Sequence, residues 1–191
     1  MGLAFSGAGG ENESRASMQK IVVNADFFTE THRISGRVEM GAAGFMGLLN
    51  DTNSSLIESQ NTYVSRLQDP TRIIAHSEAA SLLKSNLTLV ILPRREDIGP
   101  AGATQASTGY TRVISTPVLI TTPTFEIRGF AETLGKPDHA VLLVGGPNKF
   151  LPLYKAMVVA TLYPDPPYSG EVVLVNRAVV QALAPIARGK D

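Results

Sequence analysis

The chain has 191 residues, with 43% hydrophobic and 18% charged side chains, which suits one large or two small packed domains and excludes wholesale disorder. Lys+Arg and Asp+Glu both total 17, and the balance holds locally, nine of each sign in residues 1–95 and eight of each in 96–191. No basic footprint for nucleic acid or an anionic membrane therefore exists, and the absence of cysteine excludes disulfides, thiolate catalysis and thiolate metal sites.

Residues 1–17, rich in Gly, Ser and Glu, read as a mobile tail with no basic start and apolar run. No stretch approaches the roughly 18 apolar residues of a membrane span, so a cytoplasmic protein is expected. "KIVVNADFF" (20–28) opens the structured part. "THRISGRVEM" then alternates strictly, placing Ile34, Gly36, Val38 and Met40 on one face and Arg33, Ser35, Arg37 and Glu39 on the other. That is a strand with one wet side. "FMGLLND" (45–51) is a short apolar element. "TYVSRL" (62–67) and "RIIAH" (72–76) read as strand pieces broken at Asp69-Pro70. "SEAASLLKSN" (77–86) is expected to be a short helix capped by Ser77. "LTLVIL" (87–92) is an apolar strand.

A Gly/Ala/Thr/Ser-rich connector occupies 96–116, and the pattern then restarts. "FEIRGFAET" (125–133) alternates like 32–40, "AVLLVGG" (140–146) matches 45–51, and "PDPPYSG" (164–170) is expected to be a turn. With an offset of 93, Ile34 maps to Ile127, Gly36 to Gly129 and Glu39 to Glu132. With an offset of 83, Val90 maps to Val173, Leu92 to Val175 and Arg94 to Arg177. An internal duplication accounts for both. The expected fold is mainly β: two diverged tandem units, small barrels or sheets related by a pseudo-two-fold axis and sharing one interior, with one or two short helices. Their boundaries are 18–95 and 117–191. The final segment, 177–191, reads as a last strand running into a short helix or turn that Pro185 limits, with Ala178, Leu183 and Ile186 expected to cap one open end of the sheet.

The residues Ile127, Gly129, Phe150, Leu151, Pro152, Leu153, Ala156, Val158, Val175, Asn176 and Arg177 together resemble an uncharacterised family of small bacterial β domains. The first half keeps Ile34, Gly36, Val38, "LLN" (48–50) and Arg94, and lacks the Phe-Leu-Pro-Leu run. The resemblance implies a β domain and supplies no chemistry. The short strands also resemble Sm-like or SH3-like barrels in architecture, which by itself gives no function.

No constellation for catalysis emerges. His32, His76 and His139 are mutually distant in sequence, so neither a metal nor a cofactor is expected. Ser81 and Lys84 fit Ser-x-x-Lys without companion motifs. Glu96, Asp97 and Asp165 read as solvated turn residues. The basic candidates Arg33, Arg37, Arg128, Lys149, Lys155 and Arg177 are diluted by carboxylates, which disfavours nucleic acid. The informative stretch is "FLPLYKAMVVATLY" (150–163), apolar at both parities and so covered on both faces. Phe130 stands where Arg37 stands in the first unit, an apolar side chain on a charged face. Phe130, Leu151, Leu153, Met157 and Val159 are the expected protein interface. The expected function is a non-enzymatic assembly or interaction module whose partner is itself or another protein. The alternative is a small β-barrel for a small ligand or single-stranded nucleic acid.

Overall fold

The structure is a computed structural model that describes residues 20–100, 112–136, 138–145 and 148–186. The expected tail at 1–17, most of the connector (101–111) and residues 187–191 lie outside the described residues.

Among the described residues, ten strands and two short helices run in the order β1 (Ile21–Phe28), β2 (His32–Met40), α1 (Gly44–Asn50), β3 (Leu56–Arg66), β4 (Asp69–Leu83), β5 (Leu89–Leu92), β6 (Val113–Thr121), β7 (Phe125–Leu134), α2 (His139–Val144), β8 (Phe150–Ala160), β9 (Tyr163–Asn176) and β10 (Ala182–Pro185). The chain is mainly β, as alternation predicts. The strands form one antiparallel sheet of order β10-β6-β7-β8-β9-β5-β1-β2-β3-β4. Neither half closes into a barrel: among the described residues β4 pairs only with β3, and β10 only with β6.

The first half has the order β5-β1-β2-β3-β4 and the second β10-β6-β7-β8-β9. Numbered within each half, both read 5-1-2-3-4. Each half carries a helix between its second and third strands and a 3-10 turn between its fourth and fifth, Lys84–Asn86 and Arg177–Val179. The offset of 93 runs through this organisation. Phe27 lies opposite Ile34 as Ile120 lies opposite Ile127, and Thr88 N donates to Phe28 O as Gln181 N donates to Thr121 O. The offset of 83 does not. Val90 belongs to a fifth strand and Val173 to a fourth, and these strands are antiparallel neighbours with Val90 opposite Leu174.

Three local expectations change. Residues 77–83 are the end of β4, with Ala80 opposite Ser59 and Leu82 opposite Ile57. Pairing with β3 overrides the helix propensity of Ala, Leu and Lys, and Ser77 caps nothing. Asp69-Pro70 opens β4 rather than breaking it, and residues 164–170 lie in β9, where only β8 pairs with them. Pro70 and the prolines of 164–170 sit on a one-sided ladder, which tolerates the missing donor. The element at 140–146 is helical as far as Val144, with Asp138 accepting from Ala140 N and Val141 N as its N-cap.

Two cores replace the single expected interior. The first gathers Phe27, Val38, Phe45, Met46, Leu49 and Ile57 from the first half with Phe150, Tyr154, Val172 and Leu174 from the second. The second gathers Val118, Ile120, Phe125 and Ile127 with Phe28, Leu67, Leu89 and Ile91 from the first half. Strands β5 and β9 stand between the cores. Val90, Leu92, Val172 and Leu174 enter one, while Leu89, Ile91, Val173 and Val175 enter the other. Burial on both faces is why these strands read as unbroken apolar runs.

Candidate assembly interface

The chain contains one completed joint between halves, and it defines what its open edges lack. At that joint Leu89 lies opposite Val175, Val90 opposite Leu174, Ile91 opposite Val173 and Leu92 opposite Val172. Asn176 N donates to Thr88 O at 3.0 Å. The buried Asn176 side chain closes the end of the ladder, Nδ2 donating to Leu87 O at 2.8 Å and Oδ1 accepting from Ala178 N at 3.0 Å. Arg95 reaches across the halves: its Nη2 meets Glu132 Oε2 at 2.5 Å and its guanidinium lies 4.0 Å from the Tyr154 ring centre. The Glu132 carboxylate raises the Arg95 pKa above its ordinary value. Asn50 adds a further tie, accepting from Lys149 N at 2.8 Å.

The two basic residues that open the 3-10 turns are committed to main-chain carbonyls. Lys84 Nζ donates to Asp51 O at 3.0 Å, and Arg177 Nη1 donates to Gly145 O at 2.5 Å and Asn148 O at 2.9 Å. Burial lowers both pKa values from the ordinary range. Lys84 is thus a structural strut rather than the partner of Ser81, whose hydroxyl donates to Glu58. Arg177 is equally unavailable to nucleic acid, as is Arg33, which pairs with Asp26 at 2.8 Å. Asp97 is buried and held by Arg94 Nε and Nη2 at 3.1 and 2.6 Å, so the expectation of a solvated carboxylate fails there. His32 Nδ1 bonds Thr31 Oγ1, and His76 bonds Asn61 Oδ1 and stacks on Tyr63 with ring centres 4.4 Å apart. Among the described residues no group of three His, Cys, Asp or Glu side chains could hold a metal ion, and no helix is long and apolar enough to cross a membrane.

The five expected interface residues separate. Leu151 and Leu153 are fully buried in the second core and belong to no outer surface. The reason is a bulge. Lys155 has φ of 48°, and the β7–β8 register shifts between Arg128 and Phe130. Before it the second core takes odd residues, Leu151 and Leu153; after it the core takes even ones, Ala156, Val158 and Ala160. Met157 is therefore turned out, 44% exposed. Val159 and Phe130 are half-buried. Gly129 sits at this bulge because a Cβ there would lie 2.7 Å from Ala156 Cβ. Phe130 lies opposite Pro117 on β6 and Tyr154 on β8, and Pro117 O accepts from Ile186 N, so an apolar row leads from Phe130 to the free edge of β10.

Of the two open edges, β10 includes Leu183, expected at an open end of the sheet, whereas the β4 edge has no counterpart among the expected site residues. On β4, residues 71–79, Ser81 and Leu83 are exposed, with Ile73 at 51%, Ile74 at 44% and Leu83 at 48%; beside them Leu56 on β3 is 37% exposed. On β10, Ala182, Ala184 and Pro185 are exposed, and Ile186 follows at 39%. Residues 79–83, "AASLL", and 182–186, "ALAPI", carry no charge. Edge strands usually carry lysine or inward-pointing charge to prevent pairing; Arg72 and Glu78 lie earlier on β4, and within 79–83 and 182–186 only Pro185 acts that way. The absence of charge in both stretches is the signal that was available in the sequence.

A depression of about 340 Å³ lies over the completed joint, lined by Asn24, Arg37, Asn61, Tyr63 and Gly170 among others. Gly170 belongs to β9 and the others to the first half, so the joint itself builds this hollow.

No family model matches the chain, and neither a curated protein nor a solved structure matches it.

Proposed function

We propose that this protein is a non-enzymatic assembly module, built from two β units fused in tandem by duplication, and that it self-associates. The single observation that carries the reading is that a ten-stranded sheet ends on two strands, β4 and β10, that have no outer partner among the described residues and carry uncharged stretches, 79–83 and 182–186, beside exposed apolar side chains. Unsatisfied N–H and C=O groups beside apolar surface form a template for another strand. Duplication is supported by the shared 5-1-2-3-4 order, the helix and 3-10 turn at the same places in both halves, and the offset of 93. Zero formal net charge lowers the repulsion between copies. Light scattering on the purified chain is expected to give a multiple of 20.3 kDa. Phe130→Asp, which charges the row adjoining β10, is expected to lower that mass while the strand signal in circular dichroism stays. A monomer at tens of micromolar overturns the reading.

A second reading, binding of a small ligand, is favoured by the depression over the joint. Tyr63, stacked on His76, offers an aromatic wall, and Arg37 is exposed and makes no ion pair among the described residues. Such a site suits a small anion bearing a ring. Titration with a mononucleotide at low salt is expected to give binding that Arg37→Ala abolishes; a flat titration dismisses this reading.

A further inference from the structure

We infer that copies of this chain add head to tail, β10 of one copy pairing antiparallel with β4 of the next, in the register that β5 and β9 display within the chain. This rests on self-association and specifies the strands, the register and the partner, which is a second copy.

The completed joint unites a fifth strand, β5, with a fourth strand, β9. Of the remaining strands, β10 is the other fifth strand and β4 the other fourth, and among the described residues both lack a partner on one side. Local hydrogen bonds fix the correspondence on each side. Leu87 N donates to Lys84 O as Val180 N donates to Arg177 O, and Thr88 N to Phe28 O as Gln181 N to Thr121 O. Adding 93 to residues 89–92 gives 182–185, and subtracting 93 from 172–175 gives 79–82. The joint between copies then sets Ala182 opposite Leu82, Leu183 opposite Ser81, Ala184 opposite Ala80 and Pro185 opposite Ala79. Leu83 N donates to Gln181 O, as Asn176 N donates to Thr88 O.

The main chain is oriented for this ladder. Ile186 N donates to Pro117 O and Lys84 N to Ser55 O, both toward the existing neighbour strand. Antiparallel strands alternate the side to which successive residues turn their N–H and C=O. Leu183 and Pro185 on β10, and Ala79, Ser81 and Leu83 on β4, therefore turn theirs outward. Pro185 offers a carbonyl and no donor, one hydrogen bond fewer than Leu92 makes possible at the inner joint.

The side chains agree. Phe150, at the start of β8, is 1% exposed because the inner joint presses it into the first core. Leu56 holds the same place at the start of β3, on the open side, and is 37% exposed. Leu83 corresponds to Asn176, which is buried at 6%, yet Leu83 is exposed at 48%. Exposed leucines thus stand where the inner joint buries its residues. A contact between a fourth and a fifth strand is heterologous, so it generates a ring or a filament rather than an isolated two-fold dimer.

The cysteine-free chain makes the register readable. Opposed residues of an antiparallel pair have Cβ atoms about 4.5–5.5 Å apart, near the separation a disulfide requires. The double variant Ser81→Cys/Leu183→Cys is expected, under mild oxidation, to give a reducible ladder of dimers, trimers and longer species. A mixture of the two single variants is expected to stop at the dimer. Moving one cysteine by two residues, as Leu83→Cys/Leu183→Cys, is expected to cut the yield at least fivefold. Ser81→Pro removes an outward donor without touching the β3 ladder, and is expected to reduce the mass of the native assembly to 20.3 kDa with the strand signal retained. A native multimer whose mass survives Ser81→Pro, or that gives only Ser81–Ser81 cross-links in the single Ser81→Cys variant, overturns head-to-tail pairing and leaves self-association standing. A native monomer overturns both.

Discussion

Phe28→Ala is expected to remove about 3–5 kcal/mol of stability, the usual range for truncating a fully buried phenylalanine, through packing lost in the core of the half to which Phe28 does not belong. Phe28 ends β1, in the first half, yet its side chain is buried in the second core. Its ring meets Phe125 edge-on at 5.7 Å and 86°, and Tyr168 at 4.8 Å and 67°. Each such pair contributes about 0.5–1.5 kcal/mol beyond the area buried. Tyr168 is held from its other side by Arg33, 5.6 Å from the ring centre, which is itself paired with Asp26. Burial raises the Tyr168 pKa above its ordinary value, with Arg33 opposing. Truncation opens a cavity beside a phenol that has few alternatives for packing. The chain has no tryptophan, so tyrosine fluorescence followed through urea unfolding measures the effect. A midpoint shift at unchanged slope is the expected result. A loss under about 1 kcal/mol would mean that the second core does not depend on the first half.

The sequence made some of this visible and hid the rest for identifiable reasons. Ile34, Val38 and Met40, and Ile127 with Ala131, alternate along strands wet on one face, and each of these side chains packs on a core. Period two is faithful where one face is dry and the other wet. It failed past Lys155. A lysine gives no hint of a positive φ, and the parity change it causes separates Met157 from Leu151 and Leu153, which the pattern had grouped. The "LVIL" and "VVLV" runs were read as copies of one another because strands buried on both faces look alike in composition. They are partners across the joint instead, and only pairing could show that. Residues 77–86 suggest a helix because Ala, Leu and Lys favour one locally; pairing with β3 makes 77–83 strand and leaves only a 3-10 turn at Lys84–Asn86. Open edges have no positive signature at all. They are marked by charges that are missing, at 79–83 and 182–186, and absence of charge is informative only once the strands beside it are known.

Leu174→Ala is expected to lower stability by about 2–5 kcal/mol and to shift one single unfolding transition of the whole chain. Leu174 lies in β9, in the second half, yet it is completely buried in the first core, opposite Val90 on β5 and Pro152 on β8. Its neighbour Val173 is equally buried in the second core. Two adjacent residues of one strand thus report on different cores. If the halves were independent domains, Leu174→Ala would move one of two transitions and Val173→Ala the other. Because β5 and β9 complete both cores at once, both variants are expected to move the same transition, the leucine further than the valine. A half taken alone would be a β unit of under eighty residues, a size at which burial is marginal. It would also expose one whole face of its junction strand, Val172 and Leu174 in the second half or Leu89 and Ile91 in the first. Calorimetric and van't Hoff enthalpies that coincide for the native chain and for both variants would show this cooperativity directly. Two resolved transitions would place the boundary between domains at the joint, and would remove that joint as a template for contacts between copies.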